Sequence, residues 1–364
     1  MIQEQLVLYR KYRPQSFSEI IGQEHIIQTL TNALAMNRIA HAYLFTGPRG
    51  TGKTTIARLL AKAVNCQDSK KAEPCNKCPA CQEISQGKSL DLIEIDAASN
   101  RGIDEMRELR DGIKFSPTNL KYKVFVIDEC HQLTKEAFNA LLKTLEEPPA
   151  HAIFILATTE IHKVPQTIIS RCQRFDFHKL PLDKIVERLS WIAKQEKVTI
   201  EKPALELIAL NADGAVRDGE SLLGQVMAME DKQITLEEVQ TILGVTDIRA
   251  VQSLIDFMIE KDNGQAIGHI NQISAQGYDL IQFTKSSINY LRKILILKVD
   301  PDLDKLVAAE LTKEQKEVII KQGQKLDQSD LIKMIHAFVQ AGNEIKLADF
   351  PQLPLELAVV ECCS

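Results

Sequence analysis

The chain has 364 residues, of which 45% are hydrophobic and 26% are charged, and its formal net charge is −5. This length exceeds one ordinary hydrophobic core, so we expect two or three domains of roughly 100–200 residues each. The negative balance excludes a general attraction to polyanions, so a nucleic acid partner would require basic residues gathered on one surface. No apolar run reaches the roughly 18–20 residues of a membrane span, and no signal peptide pattern begins the chain, so we expect a cytoplasmic protein.

An aromatic and basic segment, Leu8–Pro14, comes first and ends in a proline. The proline favours a loop here rather than a helix. Its rings or arginines could face a nucleotide base or phosphates, and a plain solvated loop fits the same residues equally well. A helix is predicted next, from about Gln23 to Met36.

A short apolar run that predicts a buried strand ends in a loop with the G-x-x-x-x-G-K-[ST] pattern of P-loops. The loop and the first residues after it are Gly47, Pro48, Arg49, Gly50, Thr51, Gly52, Lys53, Thr54 and Thr55. Glycines let the backbone wrap a phosphate chain, and the N-terminus of the following helix attracts anions. We therefore predict Lys53 on the β- and γ-phosphates and the Thr54 hydroxyl on Mg²⁺. The alternative is a glycine-rich strand–helix turn with an exposed lysine.

Four of the eight cysteines form a cluster with the spacing Cys66-x8-Cys75-x2-Cys78-x2-Cys81. Thiolates at such a spacing can close a tetrahedron around Zn²⁺. No further ligand nearby indicates an open catalytic position, so we interpret the site as structural zinc. Buried thiols or a redox pair are the alternatives.

A strand is predicted at residues 90–98 and a helix at about residues 103–113. Arg107, Arg110 and Lys114 are spaced i, i+3, i+7, which places them on one helical face that could follow a phosphate backbone. With Arg101, which lies just before the helix, we take Arg107 and Lys114 as candidate DNA contacts. A solvated helix that pairs these cations with its own acidic residues explains the pattern as well.

Two further apolar runs end in polar residues that could serve a nucleotide site. The run at residues 123–127 is followed by Asp128 and Glu129, and the next run ends in Thr158 and Thr159. Strands buried on both faces bring such residues to the carboxyl edge of a parallel sheet, where ligands bind. We predict Asp128 on Mg²⁺, directly or through water, Glu129 on the attacking water, and the hydroxyls near the γ-phosphate. Chance acidic residues and plain strand propensity are the alternatives.

Strands and helices alternate from residue 42 to about 177, which predicts a doubly wound α/β domain. Beyond residue 181 the pattern is helical without a convincing strand. Thr235 is predicted to cap the N-terminus of the last short helix in this part of the chain. Gly244–Thr246 is the best candidate for a hinge, and five or six amphipathic helices follow it. The predicted domains are 1–179, 180–244 and 245–364.

Together these motifs resemble the AAA+ clamp-loader ATPases of bacterial DNA polymerase III, over about residues 5–230. The resemblance rests on the P-loop, the four-cysteine insert and the segments Arg10–Pro14, Ile93–Ser99, Asp128–His131, Asn139–Pro149, Ala157–Thr159 and Ser170–Cys172. It implies a P-loop AAA+ ATPase domain whose parallel sheet carries a zinc-binding insert. A small helical lid domain and an all-α collar domain would follow. The C-terminal third fits the collar domain only by its size and its helical class.

The resemblance also implies roles that spacing alone does not show. Thr158 or Thr159 resembles sensor 1, Arg217 on the lid helix resembles sensor 2, and Arg171 resembles an arginine finger that acts in trans on a neighbouring subunit. An arginine that pairs with Asp176 or with a helix end is the alternative for Arg171. One departure from relatives is Gly219-Glu220, which we expect to weaken the lid helix and its apolar face.

The implied function is ATP-driven opening and loading of a sliding clamp onto primed DNA, by a circular hetero-oligomer of clamp-loader subunits. The implied cofactors are ATP, Mg²⁺ and structural Zn²⁺, and the chain would hydrolyse ATP without synthesising DNA. In this family, the longer members would carry a tail that binds polymerase and helicase, and we expect a chain that ends at Ser364 to lack it. A non-hydrolysing structural subunit is one rival, disfavoured by the intact P-loop and acidic pair. Another AAA+ motor, such as a branch-migration helicase, would leave the zinc insert unexplained.

Overall fold

Five parallel strands form the central sheet of the N-terminal half in the computed structural model. The strands are β1 (Ala42–Thr46), β2 (Leu92–Asp96), β3 (Lys123–Asp128), β4 (Ala152–Thr158) and β5 (Gln173–Asp176). Their order across the sheet is β2-β3-β4-β1-β5, and every neighbouring pair is parallel. The helical crossovers that such pairs require make this the predicted doubly wound α/β domain, which is confirmed.

The structure describes residues 7–68, 72–100, 102, 112–229, 233–243, 248–300 and 313–363. Contacts divide the chain into one unit that ends at Thr235 and a second that begins at Leu236. In the N-terminal unit the described helices are α1 (Leu8–Lys11), α2 (Glu24–Ala35), α3 (Lys53–Asn65), α4 (Pro79–Ser85), α5 (Lys135–Glu146), α6 (Gln166–Ile169), α7 (Leu182–Gln195), α8 (Lys202–Asn211) and α9 (Val216–Met229). The domain bounds 1–179, 180–244 and 245–364 stay predictions.

Both faces of the sheet are covered because side chains alternate along each strand. On one face, Tyr43 and Phe45 of β1 pack in a cluster that includes Ile56 and Leu60 of α3. On the other face, Leu44 packs with a cluster that includes residues of α5. The central strands β3, β4 and β1 are therefore buried on both sides, whereas the edge strands β2 and β5 are partly exposed.

The structure corrects the prediction for the first segment. Leu8–Lys11 forms one helical turn, where the sequence predicted a loop. Tertiary contacts override the local preference: the Lys11 ammonium and the Tyr12 hydroxyl donate to the Glu196 carboxylate, at 2.6 and 2.7 Å. The helical turn is thereby attached to the end of α7, and Pro14 follows only after it has ended.

A second correction concerns the helical region after residue 181. Two short strands, β6 (Thr199–Ile200) and β7 (Gln233–Ile234), pair in parallel there. The sequence predicted no strand in this region, because two residues are too few to display a strand period. The helices α7, α8 and α9 otherwise follow the predicted pattern, with Gly214 in the left-handed conformation between α8 and α9.

Some predictions fall on residues that the structure does not describe. The predicted helix at residues 103–113 is described only at its last two residues, which are helical. Arg101 and Arg107 lie outside the described residues, and so does the predicted hinge Gly244–Thr246. The DNA contacts and the hinge therefore stay predictions.

The C-terminal unit consists of helices alone in its described residues. These are α10 (Leu236–Leu243), α11 (Ile248–Ile259), α12 (Asn263–Ala275), α13 (Leu280–Val299), α14 (Lys313–Lys325), α15 (Gln328–Glu344) and α16 (Leu353–Cys363). Phe283, Leu291 and Phe338 are buried in one apolar cluster. The Tyr290 hydroxyl donates to the Gln322 side-chain oxygen at 2.6 Å inside it. No helix among the described residues is long and apolar enough to cross a membrane.

Candidate active site

The predicted P-loop connects β1 to α3 with a backbone that glycine allows. Gly47, Gly50 and Gly52 have φ angles of +142°, +76° and +101°. A Cβ on Gly47 would lie 2.3 Å from the Phe177 carbonyl oxygen, and one on Gly50 would lie 2.8 Å from the Cβ of Ala215. Side chains at these positions would therefore clash as well as strain the backbone.

The Lys53 side chain turns back into this loop. Its ammonium donates to the carbonyl oxygens of Gly47 and Pro48, both at 2.8 Å. Lys53 is only 5% exposed, and burial lowers the pKa of its ammonium. A phosphate bound in the loop would give this buried cation a counter-charge and favour its protonated form.

The end of β3 lies against the start of α3, which brings together two oxygen ligands. The Thr54 hydroxyl donates to the Asp128 carboxylate at 2.7 Å. Oxygen atoms of hydroxyl and carboxylate groups are the ligands that Mg²⁺ prefers. The donor set therefore fits the predicted magnesium site.

Glu129 has a left-handed backbone conformation, with φ +48°, which is uncommon for a residue other than glycine. Its carboxylate accepts a hydrogen bond from the Thr159 hydroxyl at 3.0 Å. Nδ1 of His131 lies 3.4 Å from the same oxygen of Glu129. The two side chains thus hold the carboxylate at the edge of the sheet. Strained backbone of this kind is often found at functional sites.

Thr158 is the last residue of β4 and is fully buried. Its carbonyl oxygen accepts a hydrogen bond from the Gly47 amide at 3.2 Å, which ties it to the start of the P-loop. Its hydroxyl lies 3.0 Å from Nδ1 of His131 and accepts from the Glu160 amide at 3.0 Å. The two adjacent threonines therefore differ, since Thr159 contacts Glu129 and Thr158 contacts His131.

An open cleft lies in front of these groups. Its walls come from several segments, among them those that contain Tyr9, Gly50, Asp128, Leu180 and Arg217. The guanidinium of Arg217 lies 4.7 Å from the centre of the Tyr9 ring. A hydrogen bond from Arg217 lowers the pKa of the Tyr9 hydroxyl. The lid helix α9 therefore brings a cation to the cleft, as expected for Arg217, whereas sequence reasoning missed its contact with Tyr9.

The lid helix runs unbroken through Gly219, although glycine was expected to weaken it. A Cβ on Gly219 would lie 3.3 Å from the Cβ of Ala212, so the small residue allows close packing. The Glu220 carboxylate accepts from the Arg188 guanidinium at 2.9 Å, with side chains 7% and 10% exposed. Burial raises the pKa of Glu220. This buried ion pair thus lies at the wall of the cleft.

Three family models match successive parts of this chain. "DNA polymerase III, delta subunit" matches residues 22–181, "DNA polymerase III clamp loader subunit, ATPase lid domain" matches 184–232, and "DNA polymerase III subunits gamma and tau domain III" matches 234–364. The DNA polymerase III subunit gamma of Buchnera aphidicola subsp. Acyrthosiphon pisum is 37% identical over 359 residues, which are 98% of each chain. The chain belongs to the tau and gamma subunit family of DNA polymerase III.

The tau relatives in this family are longer. DNA polymerase III subunit tau of Bacillus subtilis is 45% identical over 98% of this chain and 63% of the relative. Its counterpart in Escherichia coli K12 is 43% identical over 81% of this chain and 46% of the relative. The chain thus spans about half to two thirds of the length of these relatives. The resemblance drawn from the sequence motifs is confirmed, and the AAA+ family implies nucleotide and Mg²⁺.

The cysteine insert that the tau and gamma resemblance includes folds into a compact cluster. The sulfur atoms of Cys66, Cys75, Cys78 and Cys81 all lie within 4.8 Å of one another. Sulfurs around a tetrahedral Zn²⁺ are about 3.8 Å apart, as follows from Zn–S bonds of about 2.3 Å. Backbone amides of Cys75 and Cys78 donate to the sulfurs of Cys66 and Cys75, both at 3.3 Å. The cluster therefore has the ligands and size that a structural zinc ion requires.

Arg171, the predicted arginine finger of this family member, does not line the cleft in the part of the chain that the structure describes. Its guanidinium donates to the Glu146 carboxylate at 2.5 Å and to the Thr167 carbonyl at 2.7 Å. The alternative considered from the sequence is a pairing with Asp176 or with a helix end. The contacts are of the second kind, since Glu146 ends α5 and Thr167 lies in α6, whereas Asp176 accepts from Arg174 at 2.8 Å. Arg171 is therefore held at the end of α5, away from its own P-loop.

Proposed function

We propose that this chain is an ATPase motor subunit of a clamp loader, which uses ATP binding and hydrolysis to load a sliding clamp onto primed DNA. The observation that supports it best is the cleft in which Lys53, the Thr54–Asp128 pair and Glu129 meet. The tau and gamma family supplies the biological setting. Within the polymerase assembly this chain would hydrolyse ATP and synthesise no DNA.

The proposed chemistry assigns each group in the cleft one task. Lys53 neutralises the β- and γ-phosphates, whose oxygens replace the loop carbonyls that it now contacts. Thr54 and Asp128 hold Mg²⁺, which would neutralise charge on the phosphate oxygens. Glu129 accepts the proton of the water that attacks the γ-phosphorus, and the bond to the leaving ADP oxygen breaks. The P-loop backbone, Pro48 to Thr55, cradles the phosphates.

Two arginines complete the proposed site from outside the α/β sheet. Arg217 would contact the nucleotide from the lid helix as sensor 2, next to Tyr9. Arg171 would act in trans on a neighbouring subunit, where it stabilises the charge that develops on the transferred phosphoryl group. The salt bridge to Glu146 keeps this guanidinium partly exposed at the surface and away from its own cleft. A circular hetero-oligomer of clamp-loader subunits follows from this role, with the C-terminal helical unit as its collar.

We also propose that Cys66, Cys75, Cys78 and Cys81 bind a structural Zn²⁺. Four thiolates leave no ligand position open for a substrate, so this ion would stabilise the insert and take no part in hydrolysis. The support is the compact group of four sulfurs.

Primed DNA is the proposed polymer partner, and the sliding clamp is the proposed protein that is loaded. Lys114, which is exposed, would contact the DNA backbone together with Arg101 and Arg107. Such contacts to phosphates carry no base specificity, which suits a machine that loads at any primer end. A cytoplasmic location follows from this substrate.

Reconstitution tests the proposal. The chain is combined with candidate clamp-loader subunits and a clamp, and ATP-dependent transfer of the clamp to a primed circular template is measured. We expect loading with this chain and none when it is replaced by Lys53→Ala. ATP hydrolysis without clamp transfer in a fully assembled complex would favour another AAA+ motor. Loading without any ATP turnover by this chain would favour the non-hydrolysing structural subunit.

A further inference from the structure

The side chain of His131 fills a buried position between four polar groups. It is 4% exposed and follows the acidic pair at the end of β3 by two residues. Nδ1 lies 3.0 Å from the Thr158 hydroxyl and 3.4 Å from the Glu129 carboxylate. Nε2 lies 3.0 Å from the side-chain nitrogen of Gln132 and 3.4 Å from the Glu160 carboxylate. The ring therefore connects the end of β3 to the end of β4.

The partners of the two ring nitrogens are used to assign their donor and acceptor roles. The side-chain nitrogen of Gln132 can only donate, so Nε2 of His131 accepts from it. The proton of the ring is then on Nδ1, which donates to the Thr158 hydroxyl oxygen. A second carboxylate, that of Glu160, lies on the Nε2 side, and its own charge is paired with Lys163 at 2.9 Å.

The hydrogen bonds that the Thr158 hydroxyl accepts determine the direction in which it can donate its own proton. A hydroxyl has two acceptor lone pairs and one proton to donate. The Glu160 amide and Nδ1 of His131 occupy the two acceptor positions of Thr158. The hydroxyl proton is therefore directed away from both. Because the Thr158 carbonyl bonds the Gly47 amide, this donor is held beside the start of the P-loop.

We propose that His131 is a positioning residue that fixes the Thr158 hydroxyl as a donor toward the γ-phosphate and orients Glu129 from the same ring nitrogen. One imidazole would thus couple the residue that senses the γ-phosphate to the residue that activates water. The inference rests on the proposed ATPase function. It assigns His131 no proton transfer to the reacting atoms, since Glu129 lines the cleft and His131 is not among the described residues that line it.

Two amide substitutions separate this role from simple packing. The side-chain nitrogen of asparagine reaches about as far as Nδ1 of histidine, whereas that of glutamine reaches about as far as Nε2. His131→Asn can keep the donor to Thr158, and His131→Gln loses it. His162→Asn is the matched control, because His162 also lies 3.4 Å from Glu160 but is 72% exposed. Turnover and nucleotide dissociation constants are measured for these variants and His131→Ala, all with the full chain.

We expect His131→Ala to lower kcat by about 10–100-fold, in line with the cost of a misplaced catalytic group, with nucleotide affinity within about twofold. His131→Asn should recover most of kcat, His131→Gln should not, and His162→Asn should match the wild type. Equal losses in the asparagine and glutamine variants, or unchanged kcat in all three variants of His131, would overturn the inference. If His131→Ala does not fold, the comparison of kcat between His131→Asn and His131→Gln still tests the inference. An inactive wild-type chain would instead contradict the proposed ATPase function.

Discussion

The proposed nucleotide cleft and the cysteine module, residues 66–81, are both candidate ligand sites, yet they are assembled in opposite ways. The cleft collects side chains from across the N-terminal unit, from Tyr9 to Glu220. The module takes its four ligands from one short stretch. A site assembled from distant segments can change when those segments move, which a motor requires. A site from one short stretch can hold its own shape once a metal is bound.

The two regions are nevertheless joined through one short segment, residues 15–18. The Glu73 carboxylate of the module accepts from the amides of Phe17 and Ser18 at 2.8 and 2.9 Å. The Asn76 side chain donates to the Gln15 carbonyl at 3.1 Å. Pro14, before this segment, and Ile20, after it, line the cleft. The module therefore supports one wall of the cleft from behind.

The largest expected effect concerns the part of the site that another subunit would supply. Arg171→Ala should lower turnover in the assembled ring by about 10³–10⁵, the range found for arginine fingers, and should leave nucleotide affinity nearly unchanged. Arg174→Ala is the control, because Arg174 is a nearby exposed arginine paired with Asp176. ATP hydrolysis and nucleotide binding are measured on the same assemblies.

Mixed rings show whether Arg171 acts on the nucleotide site of its own chain or on that of a neighbouring subunit. Chains with Arg171→Ala and chains with Lys53→Ala, each inactive alone, should recover part of the activity when they are co-assembled. Sedimentation first verifies that they mix. Verified mixed rings without recovery, together with a loss of turnover in a monomeric Arg171→Ala chain, would show that Arg171 acts within its own chain.

The largest expected effect on nucleotide binding lies inside the cleft. Lys53→Ala should weaken nucleotide binding by a factor of at least about 30, since removing one partner of a buried charge pair costs roughly 2–5 kcal/mol. Titration with a fluorescent ATP analogue measures it. Lys88→Ala, a change at an exposed lysine, should bind like the wild type. Normal affinity in Lys53→Ala would mean that the P-loop lysine does not hold phosphate.

A smaller effect on the cleft is expected from the module. Cys75→Ser or strong chelation should remove zinc and unfold the insert, because metal binding provides its folding free energy. Nucleotide affinity should fall by less than about tenfold, through the loosened segment at Phe17 and Ser18. Metal analysis, hydrogen exchange at these amides and nucleotide titration test the two steps separately. Cys362→Ser should change none of them, and freshly purified protein without zinc would rule out the metal site.

The smallest effect is expected outside both regions. Lys114→Ala should reduce the salt dependence of DNA-stimulated hydrolysis by roughly one unit of slope, as for one lost phosphate contact. Basal hydrolysis without DNA should stay unchanged. Full DNA stimulation of the single variants at Lys114, Arg101 and Arg107 at every salt concentration would place the DNA contacts elsewhere.

The same comparison explains what the sequence could predict. The P-loop and the cysteine cluster are local patterns, so their residues could be named directly from spacing. The acidic pair Asp128 and Glu129 could be placed because parallel strands end at one edge of a sheet. The order of the strands and the two-residue pairing of β6 with β7 carry no such local pattern, and only the structure reveals them.

Contacts between distant segments were also beyond sequence reasoning. Nothing near Leu8–Lys11 indicates the helical turn, because the bonds of Lys11 and Tyr12 to Glu196 hold it in place. From the sequence alone, Glu220 would be interpreted as a charge misplaced on an apolar helix face. The structure shows that it pairs with Arg188. His131 gave one usable signal in the sequence, its position two residues after the acidic pair, but its contacts to β4 could be seen only in the fold.

The central claim is that the cleft hydrolyses ATP and that Glu129 activates the water. The most direct test measures nucleotide affinity and single-turnover hydrolysis in the wild type and Glu129→Gln, with Mg²⁺ and within the assembled complex. The amide keeps the size of the side chain but cannot accept the proton, so we expect affinity within a few-fold and turnover lower by about 10²–10⁴. Unchanged turnover in Glu129→Gln, or parallel loss of affinity and turnover, would contradict the account.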